Sequence, residues 1–476
     1  MIHAIKLPDI TRDRLQDVVR LQMHLLAFAA CTPEIGREIK DKKEKAEAEK
    51  KKKEQLIRYF NTIEGFKMHG REIANWLWAA GTKTRHSHLE QFACTFSSKD
   101  VKEKEAEQKV KQAWCQRLSK EVEDLLAQDN KPLVVKPFYD EDQYSTKYVT
   151  DPRDLKKPAS SGQEKQLLHW RTHAKNFLLY FYDFFLGGDE PFPAYFSTDP
   201  SNVSGEESFG RQDLLKAFLD ENRGQEICAT CNEARYYSQG EYIHAHLDHY
   251  LPKSDYPHFA CHPYNLVPVC YFCNSPTKGR SDPFYDPVLK ERRPFLSKET
   301  LPYHQMGLSQ VAYLDVTPGI EARLVKIHSI KPRPGLTPQS IKLVEEEIKL
   351  MQELYDIPDR WNRDEQALKI SDTLFRRMRH FIGDGQILSG ASDPVAGVTN
   401  ALKQLLYYLD NDDQQKDPFT FAMTWILGAL LQEGDPQALV EEVNSWTGQS
   451  LEKSQYRHEQ AEKLLKIVQK ARKEEA

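Results

Sequence analysis

The sequence predicts a mainly helical chain with one small α+β module set into its middle. Three observations predict this. Long charged stretches repeat apolar residues at helical spacing. Two C-x-x-C pairs, Cys228/Cys231 and Cys270/Cys273, stand 38 residues apart, so a folded segment must lie between them. That segment reads as a strand over 242–249, a long loop over 251–263 and a return strand over 265–269.

Composition bounds the rest. A chain of 476 residues with 29% charged and 39% hydrophobic residues belongs with soluble globular proteins and has room for roughly two to four domains. The net charge of −5 excludes a globally basic nucleic-acid binder but not a local basic patch. The apolar stretch 419–431 is too short to cross a bilayer and contains Thr424 and Gly428, so no membrane partner is expected. The start, Met1 to Lys6, lacks the apolar core of a signal peptide, which points to the cytoplasm. In that reducing compartment the paired cysteines read as metal ligands, and Cys31, Cys94, Cys115 and Cys261 as core thiols.

Four regions follow in order. Residues 1–135 read as helical: a charged run over 38–55 containing Lys50, Lys51, Lys52 and Lys53 leads into Leu56. A second helix over 101–127 places Val110, Trp114, Leu118 and Val122 on one stripe. The lysine run is read as a solvated helix face with i,i+4 pairs, its alternative being a phosphate-tracking arm. Region 136–210 holds a linker over 136–163, a buried helix over 167–186 stopped by Gly187-Gly188, and a loop over 190–210. Region 211–330 is the α+β module. Region 331–476 is helical again; Thr337 caps a helix that starts at Pro338 and runs to about Tyr355, with later breaks such as Gly383-Asp384-Gly385.

The chemistry concentrates in the module. Each C-x-x-C is a tight turn aiming two thiolates at one point, and four thiolates suit tetrahedral structural zinc, which would staple the module's ends. Between the pairs lie Asp248-His249, Asn265 and Asn274, the last followed by Ser275-Pro276, read as the N-cap and first turn of a short helix. Lys278 and Arg280 follow one turn on and could contact a nucleic-acid backbone. His244, His246, His258 and His262 read as structural or substrate-contacting rather than as metal ligands, Cys261 as a spectator, and Arg85-His86-Ser87-His88 as a polar surface.

The D-H-x-x-P-x-S turn at 248–254, the N-L-V-P-x-C strand at 265–270 and the C-x-x-C-N start at 270–274 occur in order, over about 50 residues. In this they resemble the HNH, or ββα-metal, endonucleases, in the variant with asparagine at the last position. The interval from Asn265 to Asn274 is also similar to that of the HNH domain in RNA-guided CRISPR effector nucleases, which lack the zinc cysteines.

The resemblance implies a ββα-metal module and hydrolysis of phosphodiester bonds in DNA, by nicking, with RNA a less favoured substrate. It implies His249 as general base, Asp248 and Asn274 as ligands of Mg²⁺ or Mn²⁺, and Asn265 as the residue pinning the loop that orients His249. Helical arms around an HNH core are similar to prokaryotic phage-defence effectors such as the HNH component of some Zorya systems. That similarity implies defence-system partner proteins or self-association. An RNase using the same site, and a catalytically silent zinc-stabilised nucleic-acid-binding or scaffold protein, remain alternatives.

Overall fold

The computed structural model describes residues 1–36, 42–79, 83–96, 100–127, 131–138, 162–186, 210–222, 225–239, 242–317, 326–382, 393–411 and 418–433. The expected stop at Gly187-Gly188, the Gly383-Asp384-Gly385 break and most of the 136–163 linker and 190–210 loop lie outside these. The chain is mainly helical, and its strands form four two-stranded antiparallel sheets among the described residues. It divides into two compact units that interleave along the sequence: residues 4–223 with 236–305, and residues 1–3 with 224–235 and 306–476.

In the first unit, α1 (Asp9–Cys31) packs on α5 (Val101–Leu126) and α4 (Lys83–Cys94), while α2 (Lys42–Phe60) packs on α3 (Gly70–Leu77). Helix α2 buries Leu56 and Phe60 beneath its charged face. Two lysines of its run are ion-paired: Lys53 to Glu49 at 3.2 Å is the expected i,i+4 pair on a solvated face, whereas Lys52 reaches Glu90 of α4 at 2.8 Å. Asp100 caps α5 by accepting from the N–H groups of Lys102 and Glu103 at 2.9 and 3.2 Å.

The stripe of α5 differs from expectation at one end. Trp114, Leu118 and Val122 are buried, but Val110 is exposed and Lys111 is buried beside it. Lys111 Nζ donates to the carbonyls of Phe92, Ala93 and Thr95 at 2.9, 3.4 and 2.5 Å, closing the C-terminal end of α4, and sits 4.1 Å from the Phe96 ring. Three acceptors and an aromatic face replace the water that an ammonium normally keeps, although burial still lowers its pKa to about 8. Helix α6 (Gly162–Tyr180) continues as a wider π turn over Phe181–Phe185, and α7 (Arg211–Glu221) follows.

Cys31 and Cys94 are exposed rather than core thiols, whereas Cys115 and Cys261 are buried. His86 and His88 are half-buried rather than part of a polar surface: His86 stacks on Trp78 and His88 lies 6.2 Å from the ring of His173.

The second unit pairs a strand over Ala312–Thr317 with one over Lys326–Pro332 and packs the helix Thr420–Glu433 against the first of these strands and the helix Pro394–Asn411. Thr337 caps the helix Pro338–Tyr355 through a 3.2 Å bond from the Ser340 N–H, with Pro338 in its first turn, as its sequence predicts. Asn232 holds a left-handed backbone (φ 55°) and joins three segments. Its side chain meets His3 Nε2 at 2.8 Å and accepts from the Phe421 N–H at 3.1 Å. Beside it, Glu233 and Arg360 form a buried 2.7 Å ion pair. No helix among the described residues is long and apolar enough to cross a membrane.

Candidate active site and metal centre

The expected strand over 242–249 is broken at Ala245. Strand β2 (Tyr242–His244) pairs with β1 (Tyr237–Gln239), and β3 (His246–His249) pairs with β4 (Leu266–Val269) in the register His246↔Val269 to His249↔Leu266. The loop between β3 and β4 returns the chain over His249, and Asn265 closes it. Its Oδ1 accepts from the Leu251 N–H at 2.6 Å, and its Nδ2 donates to the carbonyls of Leu251 and Phe259 at 3.1 and 2.9 Å. Three backbone groups of a buried loop are thereby satisfied by one side chain, which asparagine can do because it carries both donors and an acceptor.

The next residue in that loop after Phe259 orients the imidazole. His249 Nε2 lies 3.1 Å from the Ala260 carbonyl, so Nε2 carries the proton and Nδ1 is left as the lone-pair nitrogen. The ring packs edge-on against Tyr182, with centroids 4.3 Å apart, and the Tyr182 hydroxyl donates to the Leu247 carbonyl at 3.2 Å. Burial lowers the His249 pKa to about 3, helped by the nearby charges of Lys253, Lys278 and Arg211. At neutral pH the imidazole is therefore uncharged.

The loop is also held from outside. His258 Nε2 meets Glu121 Oε2 at 3.1 Å, and His262 Nε2 meets the Val122 carbonyl at 3.3 Å, both partners on α5. The Phe138 N–H donates to the Asp255 carbonyl at 2.8 Å, and Lys175 Nζ donates to that of Ser254 at 2.7 Å. His258 and His262 are thus structural; His246 is exposed, 5.9 Å from the Tyr271 ring.

Asp248 is buried, and its carboxylate faces Lys278 Nζ at 3.2 and 3.3 Å. The same ammonium donates to the His249 carbonyl at 2.5 Å. Lys278 is therefore a buried partner of the Asp-His pair rather than an exposed backbone contact, while Arg280 is exposed. The helical segment that carries both asparagine and lysine starts earlier than expected. It begins at Tyr271 and forms a π turn over Cys273–Lys278, so Ser275-Pro276 lies inside it, not at its N-terminus. It ends at Gly279, whose φ of 51° favours a residue without Cβ. Asn274 is half-buried on this segment; its N–H donates to the Cys270 carbonyl at 3.1 Å, and the segment packs against β3.

Cys228, Cys231, Cys270 and Cys273 are buried, with their sulfurs all within 4.8 Å of one another. A tetrahedral zinc with bonds of about 2.3 Å separates its sulfurs by about 3.8 Å, so this donor set suits one structural metal ion. The first pair sits on a turn closed by the Asn232 N–H to the Cys228 carbonyl and the Cys228 N–H to Ala234, both 2.8 Å.

Sequence reasoning missed Tyr182, Ala260, Glu121, Arg211 and Lys253. Tyr182 and Glu121 lie 65 and 137 residues from the loop or strand positions that they bond. No family model matches the chain, and no curated protein or solved structure matches it.

Proposed function

We propose that this chain is a metal-dependent HNH-type endonuclease that nicks DNA, with His249 as general base. The observation carrying this reading is the state of His249: a neutral imidazole whose Nε2–H is committed to Ala260, leaving Nδ1 to accept a proton. An approaching phosphodiester brings negative charge that opposes the cations depressing His249, which raises its basicity when substrate is present. Asn265 acts on position, not on chemistry, by holding the loop that supplies the Ala260 carbonyl.

Asp248 and Asn274 would hold the catalytic ion. The Asp248 carboxylate is buried with Lys278 Nζ on both of its oxygens, so the ion would share or displace that ammonium, and Asn274 lies on the segment that carries Lys278. Mg²⁺ or Mn²⁺ prefers such oxygen donors and, when bound, neutralises charge on the leaving oxygen. The four cysteines are read as a zinc site that stabilises the module. The biological role, on architectural resemblance alone, is read as cytoplasmic defence against phage.

The test is incubation of purified protein with supercoiled plasmid and with RNA, with and without Mg²⁺ or Mn²⁺. Open circles should accumulate first and linear DNA later, since one Asp-His set performs one in-line displacement. Cleavage of RNA alone would assign an RNase instead. Binding with no metal-dependent cleavage of either would leave the scaffold reading.

A further inference from the structure

Two cations outside the sequence motif converge beside the base. Arg211 is the first residue of α7, fixed by its N–H bonding to the Leu186 carbonyl at 2.8 Å and by Asp213 accepting from the Gly210 N–H at 2.7 Å. Its guanidinium carbon stands 5.2 Å from the centre of the Tyr182 ring. Lys253, on the loop that orients His249, places Nζ 4.5 Å from the same ring centre. Tyr182 is the residue whose ring packs on the His249 imidazole, so both charges lie against the wall of the base.

Neither charge is locked into a structural role. Lys253 pairs with Asp183 at 2.8 Å, but the two side chains are 38% and 44% exposed, and an ion pair that open to water is easily exchanged for another anion. The described partners of Arg211 are the Asp183 carbonyl, at 3.4 Å, and Tyr182, neither of them a carboxylate. By contrast Lys278, the motif's own cation, is buried on Asp248 and the His249 carbonyl. In a chain of net charge −5, a partly exposed Arg-Lys pair beside an uncharged imidazole is a local attraction for an oxyanion.

We infer that Arg211 and Lys253 grip the nucleic-acid backbone at a phosphate flanking the one opposite His249. This rests on the nuclease reading for the identity of the partner. The guanidinium offers a paired-donor fork to phosphate oxygens and the ammonium a point charge, and neither reads base sequence. The surface fits the phosphate backbone, whatever the sequence it carries.

The experiment measures binding of a short DNA duplex to the full chain without added divalent metal, over a series of salt concentrations. Arg211→Gln and Lys253→Gln should each weaken binding several-fold on unrelated sequences, and each should make the salt dependence of the affinity shallower by about one unit of log–log slope. Arg211→Lys should largely restore affinity, which a packing role on Tyr182 would not allow. Thermal unfolding and zinc content of each variant should match the unaltered chain, since both side chains are partly exposed. Unchanged affinity and slope in the double variant would overturn the inference, as would a loss of affinity accompanied by a lower unfolding temperature in Arg211→Gln and Lys253→Gln and not recovered by Arg211→Lys. If the unaltered chain cleaves DNA while the variants bind normally, this contact fails and the nuclease reading stands. If the variants bind weakly as expected but the unaltered chain never cleaves, the contact stands and the nuclease reading fails.

Discussion

The four-cysteine cluster and the end of strand β3 are both buried, yet their donor sets differ. At the cluster every donor is a protein thiolate, so a bound ion is saturated and has no position left for a substrate. Around the buried Asp248 and His249 stand the segment carrying half-buried Asn274, which packs on β3, and the partly exposed Arg211 and Lys253. Few protein donors and an open border suit an ion that must keep water and phosphate in its shell. Under the proposed function, burial alone would not separate the structural metal site from the chemical one. What separates them is whether the ligand set is closed.

The comparison breaks most decisively at the cysteines. Cys228→Ser or Cys273→Ser should destabilise the fold itself, because structural zinc contributes folding free energy of about 10–16 kcal/mol in small zinc domains. Elemental analysis should find about one zinc per chain. An active, fully folded protein free of zinc would show that the cluster is no metal site.

The opposite signature belongs to the base. His249→Ala should reduce cleavage by roughly 10²–10⁴-fold with zinc content unchanged and only a modest fall in unfolding temperature from the lost ring packing and Ala260 bond. Residual activity above a few per cent would move the base elsewhere, with exposed His246 the next residue to substitute.

Asp248 sharpens the contrast by belonging to both worlds. Asp248→Ala removes a proposed metal ligand and also strands the buried Lys278 ammonium, which should cost about 3–5 kcal/mol in denaturant unfolding. Asp248→Ala/Lys278→Met should recover much of that stability but none of the activity. Recovery of cleavage in the double variant would remove Asp248 from the chemistry.

Asn274→Ala should act more gently, weakening the metal dependence of cleavage with partial rescue by excess Mn²⁺. Cleavage with an unaltered metal requirement would exclude its amide as a ligand. The smallest effect is expected from neutralising Lys50 to Lys53: Lys52 and Lys53 are engaged by carboxylates, so nucleic-acid affinity and its salt dependence should stay as they were. A uniform loss of affinity would make that run a second backbone contact.

Much of the candidate site was legible because its signals are local. The β3–β4 hairpin and the convergence of the cysteines follow from residues within one short stretch of chain or from paired spacing, and the closure of the loop by Asn265 from the family resemblance. The partners that hold the loop were not legible. Glu121 and Tyr182 carry no motif, and contacts across such separations leave no period in the sequence. Helical periodicity favoured Val110 for the buried stripe of α5, but the open carbonyls at the end of α4 draw Lys111 inward instead. Ser275-Pro276 looked like a helix start because serine and proline favour one; the turn begun by the Cys270 and Cys273 pair had already set the helix in motion at Tyr271.

The external anchoring of the β3–β4 loop bears on how this protein can be dissected. A fragment beginning at residue 211 would carry every motif residue, from Cys228 to Lys278. It would lack Glu121 and Val122, which fasten His258 and His262, and Phe138 and Lys175, which fasten Asp255 and Ser254. It would also lack Tyr182, the wall against which the imidazole rests. The smallest piece able to present a correctly oriented His249 therefore reaches back through α5, and the helices ahead of the motif are part of the machine rather than its housing.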